Sequence, residues 1–315
     1  MAIETSDVEF RSGHDRCRAW LFLPSTRGPH PCVVMAHGFG LTRRSGLRVF
    51  AESVAAAGYA VLLFDYRMFG DSEGEPRQLI SFHRQLQDWA AAVDFVSARP
   101  EVDAGAIATW GFSLGGGHAV MTAAHDPRVR AVVAVTPMLS GIRSTLAAMR
   151  WWSLRTVLRL FVLGLGDVFA SIVRRPSVRV PLTAPAGALG ILTSPDAYPG
   201  YRAIVPHDFD FMTGARIGLH FWTYNPGRVV RRMRVPVLLM PSSVDRVCPP
   251  GSARRQSRGC SHVTTVTLDC DHMEAIGEAN RLRVVDATTR FLRTHLRPSS
   301  STRDASAAER LSDTH

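Results

Sequence analysis

Lysine is absent from this chain. All 37 basic side chains are arginine, set against 27 carboxylates, for a formal net charge of +10 and a pI near 10.3. The arginines are spread along the sequence with only short pairs such as Arg43-Arg44, Arg174-Arg175 and Arg231-Arg232. Such a spread reflects base composition and is not the concentrated stripe that grips nucleic acid. With no zinc-finger or RNP-type motif, no nucleic-acid partner is expected. Cysteine is scarce: Cys17, Cys32, Cys248, Cys260 and Cys270 are scattered, odd in number and without a C-x-x-C pair. That excludes a disulfide framework and a zinc site, so they read as reduced thiols. The opening "MAIETSDVEFRSG" has no basic stretch followed by an apolar run. Nothing there resembles a signal peptide, and a cytoplasmic location is expected. The long apolar stretch after residue 140 is interrupted by Arg155 and Arg159, which argues against an integral membrane segment.

What the chain does have is apolar surface in quantity: 315 residues, 46% hydrophobic and 20% charged, enough for one large core with an insertion or for two modest domains. Short valine- and leucine-rich runs recur at 32–38, 59–66, 106–113, 129–137, 235–243 and 262–268. They lack strict alternation, as strands covered on both faces do. Helix-length stretches separate most of them, and "DVEF" with "CRAWLFLP" reads as an opening antiparallel hairpin. The pattern predicts an α/β fold: a mostly parallel, doubly wound sheet. Residues 140–230 break the rhythm, first with a helical run over 143–175, then with a proline- and glycine-rich stretch without a clear strand. The expected organisation is a core over 1–139 and 231–297, a cap insertion over 140–230, and a disordered polar tail over 298–315.

The glycines of "TWGFSLGGGHAV", residues 109–120, lie between a predicted strand and a predicted helix. Gly111-Phe112-Ser113-Leu114-Gly115 matches the G-x-S-x-G nucleophile elbow, in which a strained turn lifts the serine hydroxyl above the sheet. Side chains at Gly111 or Gly115 would collide with the adjoining backbone, and Gly116 and Gly117 extend that packing. A P-loop would need Gly-Lys-[Ser/Thr], and G-x-G-x-x-G is also missing here.

A serine hydroxyl needs a base, an orienting acid and an oxyanion hole. "HVTTVTLDCDHMEAIGE" places His272 after the last predicted strand, and "VPVLLMPSSVDRVCPP" places Asp245 a few residues past the preceding one. The order Ser113, Asp245, His272 suits a triad, with Asp269 and Asp271 as rival acids. His118 falls on the helix after the elbow, where packing is its expected role, and His262 begins a strand instead of following one. The candidate oxyanion donors are the backbone amides of Leu114 and of Phe39 in "AHGFG", residues 36–40, where Gly38 and Gly40 permit close approach.

Together, "AHGFG", "FDYRMFGDSEGEPR", "WGFSLGGG", "PSSVDRVCPP" and "DHMEAIG" resemble the α/β-hydrolase superfamily, and within it the dienelactone-hydrolase-like and X-Pro-dipeptidyl-peptidase-like serine esterases. The resemblance runs from about residue 8 to 297 and is thin across 140–230. It implies a hydrolase without cofactor or metal. Ser113 attacks an acyl carbon, His272 moves the proton and Asp245 orients the imidazole. The motifs do not specify the substrate; a hydrophobic small-molecule ester, lactone or thioester is expected instead from the aromatic residues within 140–230, among them Trp151, Trp152, Phe161, Tyr201 and Phe221, which would line an apolar pocket over the serine. Acyl transfer, a polyketide-type tailoring reaction and a non-catalytic ligand receptor are the alternatives on the same fold. An anionic-membrane surface on the arginine-rich cap helices is a further one. Relatives carry D-x-R-G-x-G-x-S-x-G where this chain has residues 65–74, with Met68 in place of the first glycine. Asp65 and Arg67 are expected to make structural pairs.

Overall fold

The apolar runs assemble into one sheet in the computed structural model, which describes residues 1–296; the tail expected over 298–315 lies outside the described residues. The strands are β1 (Ile3–Ser12), β2 (Asp15–Pro24), β3 (His30–Ala36), β4 (Ala60–Phe64), β5 (Val102–Phe112), β6 (Val129–Val135), β7 (Arg179–Pro181), β8 (Met212–Gly214), β9 (Val237–Met240) and β10 (Val263–Thr265). The helices are α1 (Arg48–Ala56), α2 (Phe82–Ser97), α3 (Leu114–His125), α4 (Gly141–Ala148), α5 (Leu154–Ile172), α6 (Ala197–Ile204), α7 (Ile217–His220), α8 (Gly227–Val230), α9 (Gly251–Ser257) and α10 (Glu278–His295).

Eight strands run in the order β1-β2-β4-β3-β5-β6-β9-β10. β1 and β2 form the antiparallel hairpin, β2 joins β4 antiparallel, and every later pairing is parallel. Every residue of β3, β4 and β9 is buried, as their unbroken apolar sequences require for strands covered on both faces. Trp110 of β5 meets Phe50 of α1 and donates weakly to Thr288 of α10, so α1 and α10 cover one face. Trp89 of α2 packs edge-on against Phe64 and donates to Tyr66 at 3.0 Å beneath α2 and α3 on the other.

Three local departures from the sequence pattern stand out. The helical run over 143–175 divides into α4 and α5 because Trp152 and Ser153 are extended and the Ser153 hydroxyl accepts from the Thr156 amide at 3.1 Å, an N-cap that starts a new helix. The proline- and glycine-rich stretch holds a strand after all, as β7 and β8 pair antiparallel. The run at 262–268 is regular only over β10, with Leu268 bridging to Ser242 beyond it. Of the described helices, none is long and apolar enough to cross a membrane.

Candidate active site

β5 ends at Phe112 and α3 begins at Leu114, leaving Ser113 alone in the turn with φ 55° and ψ −119°. A residue with a side chain resists that conformation. Its neighbours hold it: the Ser113 amide donates to Val135 at 2.9 Å, and its carbonyl accepts from Met138 at 2.9 Å and Gly117 at 3.2 Å. The glycines are a matter of contact distance. A Cβ on Gly111 would sit 2.1 Å from the Gly115 carbonyl oxygen, and one on Gly115 would sit 2.4 Å from that of His37.

His272, in the loop between β10 and α10, brings Nε2 to 2.9 Å from Ser113 Oγ and Nδ1 to 2.7 Å from Asp245 Oδ2. The other Asp245 oxygen accepts from the amides of Val247 at 2.8 Å and Cys248 at 2.6 Å. Phe112 lies against the imidazole, its ring centre 5.2 Å away. Asp269 and Asp271 are engaged elsewhere, the first by the Ser243 hydroxyl at 2.8 Å and the second by the amides of Met273 and Glu274, each at 2.9 Å. His118 is fully buried between Tyr224 and Gln85, and His262 meets the Val230 carbonyl at 2.9 Å.

The loop after β3 comes against the elbow so closely that a Cβ on Gly38 would lie 2.8 Å from that of Ser113. Leu114 is the first residue of α3, so its amide has no acceptor within the helix. Two side chains of the segment between β6 and β9 fix Phe39 from above. The Tyr201 hydroxyl donates to its carbonyl at 2.7 Å, and the Phe221 ring meets its ring edge-on at 5.4 Å. Tyr201 was visible in the sequence only as one aromatic among many. Cys248 was likewise read as a scattered thiol, yet its Sγ lies 4.0 Å from both Ser113 Oγ and Ser144 Oγ. Burial pushes the Cys248 thiol up, far from the thiolate range, so it forms part of the wall beside the serine. Beyond Cys248 and Ser144 opens a cavity walled by Trp152, Ile191, Leu192, Phe221 and Val247. Polar groups share that wall: Thr145 Oγ1, Trp152 Nε1, Thr193 Oγ1 and Ser194 Oγ have no hydrogen-bond partner among the described residues.

Asp65 and Arg67 do make structural pairs, with separate partners. Asp65 takes the Arg43 guanidinium and amide, both at 2.6 Å, while Arg67 binds Asp88, which also accepts from Ser12 at 2.6 Å. Arg43, buried with Asp65, had no signal of its own in the sequence. Met68 adopts φ 74°, the left-handed region that favours the glycine found there in relatives. Its amide donates to Glu73 at 2.7 Å, its carbonyl accepts from Gln78 at 2.8 Å, and its side chain is buried.

A mostly parallel sheet with a strained serine between β5 and α3 places the chain among the α/β-hydrolases, the superfamily to which it belongs. The family model described as X-Pro dipeptidyl-peptidase (S15 family) matches residues 12–157. Over 253 residues the chain is 42% identical to the quorum-quenching protein AidA of Acinetobacter baumannii, covering 80% of this chain and 82% of that one. It is 38% identical to the thiohydrolase aneE of Aspergillus aculeatus over 43% of this chain and 42% of that protein. In fold it resembles the crystal structure of the α/β-hydrolase GrgF from Penicillium, with a TM-score of 0.78 at 24% identity over 93% of this chain and 99% of that one.

Proposed function

We propose that the protein is a serine hydrolase that cleaves an ester, lactone or thioester of a hydrophobic small molecule through an acyl-enzyme on Ser113. The observation that carries this reading is the chain of contacts from Asp245 through His272 to Ser113, 2.7 and 2.9 Å long, built on the strained elbow. In this reading His272 Nε2 takes the hydroxyl proton as Ser113 attacks the acyl carbon, then returns it to the leaving group. Asp245 holds Nδ1–H and stabilises the imidazolium, as in other serine triads. The amides of Phe39 and Leu114 receive the charge on the tetrahedral oxygen. Water then attacks the acyl-enzyme and regenerates the serine. Residues 140–230 act as a cap, with Tyr201 and Phe221 setting the oxyanion loop and Trp152 and Leu192 walling the acyl side.

The relative named a thiohydrolase supports a thioester among the substrates. Another, the polyketide transferase ATR5 of Stachybotrys chlorohalonatus, is 40% identical over 44% of this chain and 46% of that protein and supports acyl transfer as the second reading. In that case an alcohol or amine intercepts the acyl-enzyme in place of water.

The test is a panel of p-nitrophenyl esters, lactones and thioesters, with products analysed with and without an added acceptor. Ser113→Ala should lower kcat by about 10⁴-fold, and a fluorophosphonate should label the wild type at Ser113 alone. Labelling that survives in the alanine variant refutes the assignment, and an acceptor-dependent product selects transfer over hydrolysis.

A further inference from the structure

Helix α5 is turned the wrong way for a helix of a water-facing domain. The residues it buries are Thr156, Leu160, Gly164, Asp167 and Ala170, mostly small or polar; Gly164 sits against Leu219, and Asp167 is paired with Arg216 at 2.7 Å. Its large apolar residues point outward. Leu154, Leu158, Phe161, Leu165, Phe169 and Ile172 are between 49% and 85% exposed. Their spacing of three or four residues puts them on one continuous stripe, opposite the buried face. A run of that length left in water marks a surface that is covered in use.

The charges around the stripe say what covers it. Arg155 and Arg159 flank it, Arg150 precedes the helix and Arg174-Arg175 follows it, all exposed. From Gly141 to Arg175 the single carboxylate is Asp167, buried and committed to Arg216. A second copy of the chain laid on this face would press arginine borders together with no carboxylate between them. The residues after 296 are polar, with Leu311 their one large apolar side chain, and so make a poor cover. An anionic lipid surface satisfies both parts, since acyl chains take the stripe while headgroups take the guanidinium groups.

We propose that α5 is an interfacial helix that seats the protein, without spanning, on an anionic lipid bilayer. The docking stands independently of the chemistry at Ser113. It places the segment that roofs the serine against the phase in which a hydrophobic substrate concentrates.

Co-sedimentation of the full chain with phosphatidylcholine vesicles, pure or containing about one-third phosphatidylglycerol, tests it. The protein should pellet with the anionic vesicles at low salt, less at moderate salt, and little with the neutral ones. Phe161→Glu with Leu165→Glu should lower the bound fraction at least tenfold, with hydrolysis of a soluble ester and the circular dichroism spectrum unchanged, because both side chains already face outward. Arg155→Gln with Arg159→Gln should weaken anionic binding by about tenfold or more. Wild-type protein that stays in the supernatant, or that binds both vesicles equally, overturns the proposal. So does a concentration-dependent dimer in sedimentation velocity that the glutamate variant dissolves, which would identify a second copy as the occupant.

Discussion

At Asp245 the hydrogen bonds leave one arrangement open to an amide. One carboxylate oxygen accepts from two backbone amides and the other from His272 Nδ1. In Asp245→Asn the two amides would hold the carbonyl oxygen, so the NH₂ group would face Nδ1. Nδ1 would become an acceptor, the proton would move to Nε2, and the imidazole could no longer take the proton of Ser113. The expected loss is about 10³-fold or more in kcat with little change in KM. Asp269→Asn and Asp271→Asn break only local turns and should keep most activity. Steady-state kinetics on the three variants checks the ranking, and an equal loss in Asp271→Asn would move the orienting role beside the histidine.

At the scale of the element, α3 sets the serine by lying so close to the sheet that glycine is required along its first turn. Its next residue is a polar one in a dry place. Gln85 Oε1 can only accept, so His118 Nε2 carries the proton and Nδ1 accepts from the Tyr224 hydroxyl. Burial lowers the His118 pKa to about 3. In the unfolded chain the same imidazole takes a proton near pH 6.5, so between these values the unfolded state binds more protons than the folded one. Stability should therefore fall as the pH drops from about 6.5 towards 3, by up to about 1.4 kcal/mol per pH unit from this group. Urea midpoints at pH 5 and pH 7.5 should differ less in His118→Gln than in the wild type, although the variant is less stable at the higher pH. Equal differences in both would mean that the histidine does not carry the acid sensitivity.

Across the whole molecule, the segment between β6 and β9 touches the elbow side of the sheet at several places. Leu182 lies against Gly40, Tyr201 and Phe221 meet Phe39, and Met273 lies against Gly200. The cavity beside these contacts is apolar over much of its wall and, at about 20 Å³, has room for little more than a water; in the proposed reaction it would widen to take the acyl group, and each methylene buried there would contribute about 0.8 kcal/mol, or fourfold in affinity. Values of kcat/KM should rise from acetate to medium acyl esters. The hydroxyls of Thr145, Thr193 and Ser194, which have no hydrogen-bond partner among the described residues, should favour chains that carry oxygen, as polyketide-like acyl groups do. Measurement over acyl lengths of about two to twelve carbons decides it, and a steady decline from acetate would make the segment a barrier to the substrate.

The sequence by itself determined the sheet, its helices and the elbow, because each rests on short-range pattern: valine runs for buried strands, and glycines at fixed offsets from Ser113. It also placed Asp245 and His272 in loops after late strands. Chain order put Asp245 ahead of Asp269 and Asp271, whereas only the tertiary structure shows what else holds those two, Ser243 for the first and the Met273 and Glu274 amides for the second. Cys248, Arg43 and Tyr201 reach their places through contacts between residues distant in the chain, which no local pattern records. The outward face of α5 belongs with them. The sequence offers an anionic-membrane surface on the cap helices only as one alternative, and which side of α5 faces outward is shown by the packing of Gly164 and Asp167.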